Sequence, residues 1–155
     1  MWIPELPDKE TAMITIGLES VPFHPGSKEY IARYKQDLDI TILGKRITLH
    51  VTMEGSSPVF KELDLRGYSQ AMSGLDTTLK SIMAQAEIEF EGNGIALSWR
   101  RIVDGLTDVY IRLTADPTFT KATFYVISIR TRACEDLISA EFSNGKQVGS
   151  VSVTG

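Results

Sequence analysis

At 155 residues, 43% hydrophobic and 23% charged, the chain has the composition of a one-core globular protein and not that of a disordered one. The formal net charge of −4 and a pI near 5.2, with Lys and Arg scattered, leave no basic stripe to neutralise phosphates, which argues against a nucleic-acid partner. The one cysteine, Cys134, cannot close an intrachain disulfide, and no apolar run approaches the ~20 residues that cross a bilayer. The expectation is a soluble cytoplasmic protein of one domain, 1–155, with no membrane partner.

Residues 1–10 are acidic, contain Pro4 and Pro7, and lack the basic start and apolar core of a signal peptide. They read as an extended lead-in, which Trp2 either latches onto the body or presents as a contact residue. Thr11 to Leu18 carries Ile14, Ile16 and Leu18 on one face, and a Pro- and Gly-containing break around His24 follows. From Tyr30 to Leu43 the second half keeps strand alternation, with Leu38, Ile40 and Ile42 on one side and Asp37, Asp39 and Thr41 on the other.

A turn at Gly44-Lys45 would make this stretch a hairpin, pairing Ile42 with Ile47, Ile40 with Leu49 and Leu38 with Val51. The opposite, polar face would then set Asp39 against His50. Beyond Gly55-Ser56-Ser57-Pro58 the period changes to that of a helix. Tyr68, Met72, Leu75, Leu79, Ile82, Met83 and Ala86 form one stripe, with Ser69 as the expected cap.

Glu87 to Ile102 reads as a second hairpin about Asn93-Gly94, with Phe90 opposite Leu97, Ile88 opposite Trp99 and Glu87 opposite Arg100. Val109, Ile111 and Leu113 form the next inward row, and Ala122 to Arg130 is apolar on both sides, as in a central strand. A last hairpin, Leu137 to Val153, turns at Asn144-Gly145, and Val148 falls out of phase with Val151 and Val153, which predicts a bulge. The fold class is α+β: mainly antiparallel, with eight or nine strands in a sandwich-like or curved sheet and one main helix packed on it.

Signals for chemistry are sparse. An Asp39–His50 pair can orient an imidazole for base catalysis, so a small hydrolase or ligand-binding domain centred on these two is one reading. No nucleophile motif accompanies them, and a cross-strand surface pair is the plainer explanation. Arg130 and Arg132 precede Cys134 and would activate its thiol, whereas Glu135 and Asp136 oppose that. Asp104, Asp108 and Asp116 could offer oxygens to a cation but lack the dense spacing of a calcium loop. Gly92-Asn93-Gly94 is no phosphate loop, and neither GxSxG nor HExxH occurs. No catalytic, cofactor or metal residue is assigned, and no cofactor is expected.

The order of elements carries a resemblance. A hairpin precedes the segment Leu75-x3-Leu79-x2-Ile82-Met83-Ala84-Gln85-Ala86-Glu87-Ile88-Glu89-Phe90, and Asp104-Gly105 leads into the alternating stretch Leu106 to Leu113. Over residues 30 to 115 this resembles the small bacterial immunity proteins of the WapI type and their relatives. The chain adds an amino-terminal segment and finishes in a hairpin where that family has a closing helix. The resemblance implies a non-enzymatic protein of bacterial or phage origin that binds another protein, a toxin domain, and transfers no functional residue. A structural component of a larger assembly, pairing through sheet edges, is the remaining expectation.

Overall fold

Two antiparallel meanders meet at one parallel seam. The computed structural model describes residues 17–22, 30–55, 61–114 and 123–154. In chain order these form β1 (Gly17–Pro22), β2 (Tyr30–Ile42), β3 (Lys45–Gly55), α1 (Lys61–Met72), α2 (Leu75–Gly92), α3 (Trp99–Asp104), β4 (Leu106–Thr114), β5 (Phe124–Thr131), β6 (Leu137–Ser143) and β7 (Lys146–Thr154). All seven strands lie in one sheet in sequence order. Every neighbouring pair is antiparallel except β3–β4, which is parallel. A parallel pair needs a long crossover, and the three helices supply it.

The α+β class therefore matches expectation, with seven strands among the described residues in place of eight or nine. The predicted lead-in and Trp2, His24 and Asp116 lie outside the described residues.

One face of the sheet is dry. Ile47, Leu49 and Val51 of β3, Val109, Ile111 and Leu113 of β4, and Tyr125, Ile127 and Ile129 of β5 are all buried. Helix α1 lies over β3, β4 and β5, and α2 lies over β6 and β7. The buried residues of α2, namely Leu75, Leu79, Ile82, Met83, Ala86 and Phe90, recur at helical spacing and face this surface. At Gly67 of α1 an added Cβ would stand 2.9 Å from Leu113 Cδ2, so glycine lets this helix sit close against β4.

The first hairpin keeps its predicted faces but not its register. Ile40 opposes Ile47, Leu38 opposes Leu49 and Asp37 opposes His50, so the turn is Leu43-Gly44, one residue earlier than Gly44-Lys45. Both turn residues have positive φ, 51° and 72°, as a type I′ turn requires. The slip is by two positions, which returns every side chain to its original face.

The helical stripe is two helices, not one. A left-handed Gly74 separates them, and Ser69 lies inside α1 and caps nothing. The expected Glu87–Ile102 hairpin is absent. Helix α2 continues to Gly92, Asn93 caps its end, and the chain re-enters a helix at Trp99, capped by the Ser98 hydroxyl. Phe90 follows Ala86 by four residues and so extends the buried helical stripe, while Ile88, predicted inward, is 66% exposed. Glu87 accepts a hydrogen bond from the Trp99 backbone N–H at 3.2 Å and does not face Arg100 across a ladder.

The last hairpin turns at Asn144-Gly145, with φ of 51° and 79°. Its register shifts between Ser139 and Glu141, opposite the left-handed Gly149, which is the irregularity that the phase of Val148 predicts.

Candidate functional site

Among the described residues no element covers the face opposite the helices, and its side chains follow from strand alternation. In β3 the residues between the buried Ile47, Leu49 and Val51 are Thr48, His50 and Thr52, all half-buried. The pairing registers then bring Asp37, His50, Tyr110, Ser128 and Ser139 into one row running across five strands.

His50 is the centre of this row. Its Nδ1 lies 2.7 Å from Asp37 Oδ1 and its Nε2 lies 2.9 Å from Asp108 Oδ1. The ring stacks on Tyr110, with centroids 4.5 Å apart and planes 12° from parallel. Carboxylates only accept, so both ring nitrogens donate and the arrangement suits an imidazolium. Partial burial by itself would lower the imidazole pKa, but the hydrogen bonds to Asp108 and Asp37, with their charges, outweigh it and raise it above 6.5. Asp108 moves the other way. Desolvation pushes its carboxyl up, yet the bonds from His50 and Thr107 and the nearby His50 and Arg130 charges hold it below 3.8.

This geometry corrects the expected Asp39–His50 pair. The two-position register slip puts Asp37 opposite His50, and Asp39 instead accepts from the Thr48 hydroxyl at 3.4 Å. Asp108, expected as a loop oxygen ligand, stands on β4 as the second partner of His50. Asp104 closes α3, so the three aspartates do not form one described cluster. The carboxylates of Asp37 and Asp108 meet opposite nitrogens of the ring and cannot converge on one ion. No group of three or more His, Cys, Asp or Glu among the described residues is placed to hold a metal.

Cys134 is half-buried, and burial together with the Asp136 charge pushes its thiol pKa up, against the lowering effect of a hydrogen bond with the Asp136 backbone. That is the opposite of activation. Trp99 is half-buried against the core, with the Arg100 guanidinium 5.7 Å from its ring.

Beside His50 the open face sinks into a groove of about 420 Å³. Its floor is low because Ser128 and Ser139, joined by a 2.8 Å hydrogen bond, are the small members of the row. Val126, Leu137, Arg112 and Arg130 stand around them. A second depression, about 570 Å³, lies by the β2–β3 turn and mixes Lys45, Arg46 and Arg132 with Asp39 and Asp104.

Sequence reasoning missed Tyr110, Arg112, Arg130 and the serine pair as site residues. Each alternates with buried neighbours in its own strand, and that signal marks a shared face once the strands are known to be adjacent. No helix among the described residues is long and apolar enough to cross a membrane. Comparison with family models, with curated proteins and with solved structures returns no match to this chain.

Proposed function

We propose that the protein is a non-enzymatic interaction module that docks another protein on the open face of its sheet. The observation that carries this reading is the saturated imidazole of His50. With both nitrogens bonded to carboxylates it has no free lone pair to serve as a base, so the most organised cluster on the face is a fixed scaffold. Around it lies a broad, polar, half-buried surface with a shallow groove, the shape of a contact face more than of an enclosed reaction chamber. Neutralising a toxin domain by covering it is one function of this kind, and it agrees with the resemblance to WapI-type immunity proteins.

Assembly through sheet edges is less well supported. The β7 edge carries Lys146 and a bulge at Gly149, both features that discourage strand addition.

The test is capture of a partner from the producing cell. The wild-type chain should retain a protein that Ser139→Arg, which fills the groove, releases, while Ile88→Arg on the helical side retains it. Equal retention by all three, or turnover of a substrate that His50→Gln abolishes, would count against docking at this face.

A further inference from the structure

We propose that the groove over Ser128 and Ser139 receives an extended acidic segment of the partner, with carboxylates at the first and fifth positions and an apolar residue at the third. The inference rests on the docking reading above and names the chemistry that the groove would read.

Charge is the first argument. The chain as a whole carries −4. The groove departs from that sign, because Arg112 and Arg130 line it and no carboxylate does, while the charge of His50 is offset by its two aspartates. Among the described residues neither arginine makes an ion pair with a side chain, although Arg130 is close enough to Asp108 to help lower its pKa. Asp37 and Asp108 are engaged with His50 at the groove's margin. A cationic depression on an anionic protein selects an anionic ligand, and guanidinium forks match carboxylates in shape.

Spacing is the second. Arg112 pairs with Val126, and Arg130 pairs with Asp108, so the two arginines stand four positions apart along neighbouring strands. At roughly 3.3 Å per residue that is about 13 Å, the distance between residues i and i+4 of an extended peptide. In such a peptide residues i, i+2 and i+4 share one face, so the middle side chain points down when both acids do. Below it lie the serine floor and the apolar flanks Val126 and Leu137.

The experiment is a titration of the isotopically labelled full chain with acetyl-Glu-Ser-Leu-Ser-Glu-amide, observed by NMR, beside the same peptide with both acids replaced by lysine. The acidic peptide should shift the Arg112 and Arg130 side-chain signals and the Ser128 and Ser139 amides saturably. Arg112→Gln and Arg130→Gln should each weaken it roughly three- to tenfold, and Arg112→Lys should restore part of the loss. Added salt should weaken it too. Equal binding of the lysine peptide, shifts confined to the depression by the β2–β3 turn, or no saturable shift would each overturn the proposal. If Ser139→Arg still released the cellular partner in that event, docking at the face would stand and only the acidic motif would fall.

Discussion

The two faces of this sheet are made by the same strands and obey opposite rules. On the helix side, side chains such as Leu49, Val109 and Ile127 are wholly buried and interchangeable in chemistry, so volume and packing decide what is tolerated. On the open side, one position along each strand, partners are specific: a carboxylate to each nitrogen of His50, a ring against Tyr110, a hydroxyl to a hydroxyl. Packing governs the first face and specific polar pairing the second.

Substitutions can break that division or sharpen it. The largest effect belongs to Ile111→Ala, which deletes a buried side chain at the centre of the sheet and should cost about 3 kcal/mol, read as a lower urea midpoint at unchanged m. Tyr110→Ala, next door but on the open side, loses the stack with His50 and should cost about 1 kcal/mol. A loss as large as that of Ile111→Ala would make the open face part of the core and erase the contrast.

The pH dependence isolates the ionic part. The His50 pKa is raised on folding, so its contribution is complete below 6.5 and fades as pH climbs through the higher folded value. The Asp108 pKa is lowered, so its contribution is present above 3.8 and fades as pH drops through the lower folded value. Both are whole between those limits. His50→Gln should therefore destabilise by about 1 kcal/mol near pH 5.5, and the gap should shrink by pH 9. Denaturation series at the two pH values check the sign, and a gap that widens at alkaline pH would refute it. Smallest of all is Arg112→Gln, an exposed change that should move stability by less than about 0.5 kcal/mol while weakening the acidic peptide. Calorimetry of the variant alone verifies the first half.

The sequence discloses patterns local to one element and is silent on those that join distant ones. Alternation assigned the faces of β2, β3 and β4 correctly, because period two is a property of each strand alone. It could not fix the register of the first hairpin, and the expected pairing of Ile42 with Ile47 about Gly44-Lys45 proved wrong: a slip of two preserves every face, and that slip exchanged Asp39 for Asp37 as the partner of His50. Two Asn-Gly dipeptides show the same limit. Asn144-Gly145 adopts positive φ at both residues and turns a hairpin, whereas Asn93, at φ −98°, ends a helix whose stripe Phe90 extends. Flanking packing decides which use prevails. Asp108 and Tyr110 were unreadable as neighbours of His50, because a parallel pairing across three helices leaves no short-range mark.

That pairing also bears on how the molecule assembles. Each meander can zip up from its own turns, but His50 and Asp108 are 58 residues apart in sequence and meet only when the intervening chain has closed into a loop. Joining the halves is the step of highest entropic cost, and contacts across β3 and β4 are the last to reward it. Weakening those contacts should speed unfolding more than it slows folding, so the line that carries the imidazole cluster also sets how long the native state survives.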